Sequence, residues 1–362
     1  MSRAATSDIP APVEHPRFLG LRISPLNARR LVNFRRNRRG RWALWAFLVL
    51  FLGTLPAEFI ANDRPLAVWY EGSLYTPVLN TYAETVFGGD FETEAEYRET
   101  DVQELITEKG GWILWPAVRY SYNTVNLNLK VPAPAPPSGD NWLGTDDQGR
   151  DVLARVIYGF RISVLFGLIL TVIGSIIGIV AGAFQGYFGG WLDLIAQRFI
   201  EIWGGLPQLY ILIILSSVII PGFWTLLFIL LLFGWTSLVG VVRAEFLRAR
   251  NFEFVKAARA LGVGNVTIMF RHVLPNAMVA MLTMLPFIIT GTISTLAILD
   301  FLGFGLPSSA PSLGELTLQA KQNLQAPWLA FTAFFTFAIM LSLLIFIFEG
   351  IRDAFDPRKT FS

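Results

Sequence analysis

The chain has no cysteine and only two histidines, His15 and His272. The first absence removes disulfide staples and thiolate chemistry, and the second leaves no histidine cluster for a metal. Charge is scarce too: 15% of the 362 residues are Asp, Glu, Lys or Arg, against roughly a quarter in ordinary soluble domains. Neither GxxxxGK[ST] nor GxGxxG occurs, so the chain has no recognisable phosphate-cradling loop and no visible energy source of its own. The neighbouring acids Asp146 and Asp147 do not by themselves converge on a substrate, and no catalytic activity is expected.

What is present is apolar and comes in blocks. Residues 162–192, 202–242, 272–299 and 322–348 are runs of 31, 41, 28 and 27 without Asp, Glu, Lys or Arg. A bilayer core is spanned by about 20 apolar helical residues, so the chain reads as an all-α polytopic membrane protein. Six transmembrane helices are expected, at about 42–60, 162–182, 203–220, 223–242, 277–299 and 329–348, with a turn at Pro221-Gly222 dividing the longest block. The first is the shortest, uncharged only from Trp42 to Ala57, with Glu58 at the interface. Gly167, Gly174, Ser175, Gly178, Ala181 and Gly182 suit close helix packing in the second.

Basic residues orient the spans. Residues 1–41 carry ten Arg and no Lys against Asp8 and Glu14. A nucleic-acid tail is one reading, but the run abuts an apolar segment, so a cytoplasmic anchor is preferred and no nucleic-acid partner is expected. A cleaved leader is not expected, because the apolar run starts late and lacks a small-residue cleavage pattern. Segment 243–275 holds Arg243, Arg248, Arg250, Lys256, Arg259 and Arg271, and the tail 350–362 holds Arg352, Arg358 and Lys359, whereas 301–328 has only Lys321. Both termini should therefore be cytoplasmic and the insert 61–138 exported. Residues 61–161 carry 15 acids against eight basic residues, and nine of those acids fall between Glu84 and Glu108. A solvated face is the plainer reading; steering of a partner or cationic ligand is the sharper one. Within the insert, Thr124–Leu129 alternates as a half-buried strand does, and the proline-rich run 132–137 should be an extended connector. Trp69, Trp112, Trp115 and Trp142 suit packing or the membrane interface.

The loop 243–275 is the most informative segment. Phe254, Ala257, Ala258 and Leu261 fall at i, i+3, i+4 and i+7, a narrow apolar helix face. Gly262 and Gly264 then allow a sharp corner. Val266–Val273, with Phe270 apolar, reads as a second short helix stopped at Leu274-Pro275. Two short amphipathic helices cannot bury both faces alone. They lie on lipid or dock into a groove of another protein.

AARALGVG followed by FRHVLPN resembles the EAA loop of ABC importer permeases, with Lys256 where the first Glu is usual. Leu143-Gly144-Thr145-Asp146, Gly149-Arg150-Asp151 and Arg161 resemble the LGTD…GRD…YG.R.S signature of the dipeptide/oligopeptide/nickel permeases. Residues 186–207, Leu302–Gly305, 326–330 and 352–357 fit the same family. The exported insert is unusual for it, and its YEGSLY and GWILW elements resemble the E-type permeases of Yej peptide importers, linked to microcin C-like antibiotics.

The resemblance implies a type I importer permease in the bacterial inner membrane, taking oligopeptides or peptide antibiotics from a periplasmic binding protein. It implies a second permease subunit as heterodimer partner and two ATPase domains. ATP and Mg would be held by those ATPases, with no cofactor on this chain. Phe254, Ala257, Ala258, Leu261, Gly262, Phe270, Arg271, Leu274 and Pro275 are the candidate ATPase-coupling residues. Arg198, Glu201, Pro207 and Asp300 lie near membrane depth as candidate path or gate residues, although Arg198 and Glu201 also suit a structural pair and Asp300 a loop cap. A permease for another solute such as nickel chelates, a passive channel, a membrane enzyme and an exporter are the rival classes.

Overall fold

In hydrocarbon each backbone N–H must find its acceptor within its own segment, so long apolar runs can only be helices. A computed structural model describes residues 17–18, 21–22, 25–219 and 222–355. The expected turn at Pro221, the tail residues Arg358 and Lys359, and residues 1–16 of the arginine-rich start, with Arg3, fall outside the described residues. A two-residue hairpin, β1 (Arg17–Phe18) with β2 (Leu21–Arg22), precedes α1 (Pro25–Arg36), α2 (Arg38–Thr54) and α3 (Ala57–Ile60). The insert contributes β3 (Ala67–Tyr70), β4 (Ser73–Tyr75), α4 (Thr100–Glu108) and β5 (Trp112–Leu114). Then follow α5 (Val152–Phe188), α6 (Gly190–Gly204), α7 (Gln208–Val218), α8 (Phe223–Gly234), α9 (Thr236–Ala249) and α10 (Glu253–Ala260). The chain ends with α11 (Asn265–Thr267), a π turn (Ile268–Val273), α12 (Leu274–Phe301), α13 (Leu313–Gln322) and α14 (Pro327–Phe355).

Four helical stretches among the described residues are long and apolar enough to cross a membrane: Val152–Phe188, Phe223–Ala249, Asn265–Phe301 and Pro327–Phe355. Each outruns the span expected from its charge-free block, because charged residues at the ends extend the helix past the apolar core. The span expected at 203–220 is not one straight helix. Instead α6 and the start of α7 meet at 63°, broken at Gly205-Leu206-Pro207, and form a fifth span only if counted together. The helix expected from Trp42 begins at Arg38, because Asn37 caps it by accepting from Gly40 N at 3.0 Å.

Glycines set the close approaches. Gly178, Gly182 and Gly186 of α5 lie against the α9 backbone: a methyl built on them would sit 2.5 Å from Trp235 O, 2.7 Å from Val239 O and 2.5 Å from Arg243 O. Both helices advance by four residues at each step, so this is one continuous ridge of contact. At the other side of the bundle α2 packs on α14, with a methyl on Gly40 reaching 3.0 Å from Gly350 Cα. Phe47 and Phe160 join α2 to α5 in the same core as Ile289, Ile293 and Met340.

The insert forms a small sheet of order β4-β3-β5, with Trp69 opposite both Leu74 and Trp112. Its core joins Val68, Tyr70, Phe87 and Tyr97 to Val102 and Ile106, which lie one turn apart on α4. Trp69, Trp112 and Trp142 remain half-exposed, whereas Trp115 packs against that core. The strand expected at 124–129 does not form. Only Val125 bridges, to Arg150, because the Asn126 side chain accepts from Asn128 N and turns the chain at once.

Candidate functional site

Two clusters, at opposite ends of α5, hold the signature and loop residues singled out in the sequence; Arg198, Glu201 and Pro207 lie apart from both, on and after α6. At the Asp151 end the signature segments converge. Gly144 takes φ +76, and a methyl there would lie 2.7 Å from Ala135 O and 2.8 Å from Trp328 Nε1. Thr145 clasps the proline-rich connector from both sides: its N donates to Ala135 O at 2.9 Å, and its Oγ1 accepts from Ala135 N at 2.8 Å. Trp328, within the 326–330 motif, donates to Thr145 O at 3.2 Å.

Asp146 is fully buried and organises the turn that follows. Its Oδ1 accepts from Gln148 N and Arg150 N, and its Oδ2 meets Arg150 Nε at 2.7 Å and Arg155 Nε at 3.5 Å. The two guanidiniums reach on to Ser308 O and Ala310 O, so the loop after α12 is drawn onto the start of α5. Asp151 caps α5 through Ala154 N at 2.8 Å and accepts from Asn141 Nδ2, while Asn141 Oδ1 accepts from Asn126 Nδ2. Burial pushes the Asp151 carboxyl above the usual carboxylate range, against the lowering pull of Asn141 and the capped backbone. Gly149 closes the loop at φ +79, and Leu143 packs on the apolar core.

Two further anchors flank this cluster. Arg161 grips Glu58 with two hydrogen bonds, 2.8 and 3.0 Å, and also bonds Leu55 O, tying the end of α2 and the turn of α3 to α5. Asp300 caps the loop that follows it, accepting from Leu306 N at 2.7 Å and from the Ser312 hydroxyl, which itself caps α13. Of the two roles open to Asp300, capping is the one its contacts fill. Arg155, Asn126, Asn141 and Ser312 were not singled out in the sequence. An arginine in the first turn of an otherwise apolar span was the one available signal, and it needed a known partner to be read.

The opposite end of α5 holds the loop. Val255 is the buried residue of α10, packed with Phe246, Ile268, Met269 and Val273. The face expected from Phe254, Ala257, Ala258 and Leu261 is left largely open, with Leu261 83% exposed. Gly262, at φ +77, ends the helix in a Schellman cap: Val263 N bonds Ala258 O and Gly262 N bonds Arg259 O. Phe270 and Leu274 pack on the core beneath, while Arg271 and Pro275 are exposed. Lys256 pairs with Glu253 in solvent.

The second short helix does not stop at Pro275. It runs through the π turn into α12, and Leu274 N bonds Met269 O, five residues back. That wider turn relieves the clash a proline ring makes with the carbonyl four residues before it. Tyr187, unforeseen in the sequence, ties the corner down: its hydroxyl donates to Asn265 Oδ1 at 2.9 Å and accepts from Arg259 Nε at 3.2 Å. Asp193 and Arg243 bind α6 to α9 through paired hydrogen bonds. Arg198 and Glu201 form an exposed i,i+3 pair on α6, and Pro207 stands at the break before α7.

A family model for the inner membrane component of binding-protein-dependent transport systems matches residues 174–361, more than half of the chain and all of the loop just described. The chain belongs to this permease family. Similar proteins include the peptidoglycan transport system permease protein YejE of Agrobacterium fabrum, 58% identical over 94% of this chain and 95% of that one. The inner membrane ABC transporter permease protein YejE of Escherichia coli is 59% identical over 93% and 99%. The oligopeptide transport system permease protein OppC of Bacillus subtilis is 35% identical over 66% and 78%. The part of this permease that the two YejE alignments leave uncovered is far shorter than segment 61–138, so the insert is shared with them. The permease is a multi-pass inner membrane protein and not itself an enzyme.

Proposed function

We propose that the chain is one permease half of an ATP-driven importer that takes oligopeptides, including peptide antibiotics of the microcin C kind, from a binding protein into the cytoplasm. A second permease, two ATPase domains carrying ATP and Mg, and a binding protein complete the assembly. Six spans are counted by adding α2 with α3, and the bent α6–α7 pair, to the four long stretches. The N- and C-termini then lie inside and the insert outside.

The observation that carries this reading is α10. Its apolar face stays exposed on a helix whose other side is packed, whose end is capped at Gly262, and whose corner is bonded to α5. A rigid, unpartnered amphipathic helix of this kind fits a groove on another protein, and the chain has no nucleotide loop of its own. Coupling requires that the two states of the ATPase bind α10 with different affinities, since equal affinity would shift nothing. The test is affinity purification of the tagged chain from mild detergent. Co-elution of a second permease and an ATPase, lost on substituting the exposed face of α10, is expected. A folded chain that elutes alone would overturn the reading.

A further inference from the structure

A cleft of about 990 Å³ opens between segments 94–101 and 121–128 of the insert, floored by Asn62, Asp63 and Arg64 and reaching Glu58 of α3 and Tyr158 of α5, the upper end of the range for small-ligand sites. Its walls bear Glu58, Asp63, Glu94, Glu96, Glu99 and Asp101 against Arg64 and Arg98. Glu58 is held by Arg161 and Glu94 by Arg64, and the Arg98 guanidinium lies 4.0 Å above the Tyr120 ring. Glu96, Glu99 and Asp101 are exposed.

The chain pattern explains why these acids face the cleft. Glu94 and Glu96 alternate with buried Ala95 and Tyr97, while Glu99 and Asp101 open α4. Other acids of the same stretch, such as Asp90, Glu92 and Glu108, lie elsewhere on the surface. A second, independent feature marks the cleft. Tyr97 lines it at only 2% exposure, yet its hydroxyl has no hydrogen-bond partner. Buried hydroxyls are normally paired, and a donor entering the cleft would complete this one.

We propose that the cleft binds a cationic group of the transported peptide, a terminal ammonium or a lysine or arginine side chain. Glu96, Glu99 and Asp101 supply the charge, and the Tyr97 hydroxyl accepts a hydrogen bond. The proposal rests on the permease reading, which puts this end of the bundle on the side where solute arrives. A recessed, concave site suits a side-chain-sized cation better than the face of a folded partner.

The experiment is equilibrium titration of the full-length chain in nanodiscs with trilysine and with trialanine. Trilysine should bind about tenfold tighter at low salt, an advantage that shrinks as salt screens it. Glu96→Gln/Glu99→Gln/Asp101→Asn should abolish that advantage, and Tyr97→Phe should weaken trilysine several-fold with no change in thermal midpoint. Asp90→Asn/Glu92→Gln/Glu108→Gln, the same charge change outside the cleft, should leave it intact. Equal binding of the two peptides, or equal loss in both triple variants, would overturn the proposal. So would a cleft variant that keeps its trilysine affinity and loses only binding-protein capture. The titration involves no ATPase, so its failure leaves the co-purification test of the permease reading untouched.

Discussion

Arg259 Nε bonds the Tyr187 hydroxyl at 3.2 Å, and its guanidinium lies 4.8 Å from the centroid of the same ring. Arg259 lies in the last turn of the exposed helix α10 and Tyr187 in the last turn of α5, so under the proposed coupling a push on α10 would reach α5 directly. Tyr187→Phe should lower ATP-driven uptake while leaving membrane insertion and complex assembly unchanged, since the two hydrogen bonds lost, to Asn265 and from Arg259, contribute only about 0.5–1.5 kcal/mol each. Uptake equal to the parent at matched protein level would show that the tether has no part in coupling.

Gly262 sits at φ +77 with open space around it, so a side chain there meets strain rather than a clash. The left-handed conformation costs an L-residue roughly 1–2 kcal/mol. Gly262→Glu should therefore leave the chain folded in the membrane but uncouple or detach it from its ATPase. Peptide uptake together with ATPase retention on affinity resin is the measurement, and full ATP-dependent uptake would refute the role.

Gly182 faces backbone where no side chain fits. Gly182→Leu should force α5 and α9 apart and cost stability beyond the about 1–3 kcal/mol typical of overpacking. A thermal unfolding midpoint several degrees lower in detergent is expected, with Gly240→Leu as a control at a position with nothing within 4 Å.

Asp146 neutralises two buried guanidiniums. Asp146→Ala should cost about 3–5 kcal/mol, because it leaves Arg150 and Arg155 buried and facing each other. Thermal unfolding of the purified variant checks this. A double variant that adds Arg155→Met should recover part of the loss, and failure to recover any would place the cost in the broken turn rather than in the charge.

Asp151 has a raised carboxyl pKa in the folded protein, caused first by burial. The folded state therefore binds its proton more tightly than the unfolded chain. Its contribution to stability is most favourable below the ordinary carboxylate range and is lost as pH rises through the raised folded value. Asp151→Asn keeps an oxygen to cap α5 and removes the titration, so stability measured across that acidic window should lose part of its slope.

The glycine-rich face of the second span, the apolar face of the loop helix and the Gly262 corner were all legible in the sequence, because each follows from local periodicity or from a residue's own conformational range. The π turn at 268–273 was not, because proline forecasts a break and says nothing of the wider turn that avoids one. The strand at 124–129 failed for a similar reason: alternation predicted it, but Asn126 found a local turn and a long-range partner in Asn141. The acidic stretch 84–108 was visible as a charge run. Its division into cleft and surface depended on Tyr97 turning inward.

By itself the sequence determined that this is a polytopic helical membrane protein with a charged loop and a separate acidic insert. Bilayer thickness and the cost of buried charge leave a chain with such blocks no other arrangement. The tertiary structure alone decided that the signature motifs, scattered from Thr145 to Trp328, form one buried cluster around Asp146. It also decided that α6 and α7 meet at a sharp bend before Pro207 and that the acids open onto a cleft. These outcomes depend on which distant segments meet, and neither hydropathy nor spacing records a contact between residues so far apart in the chain.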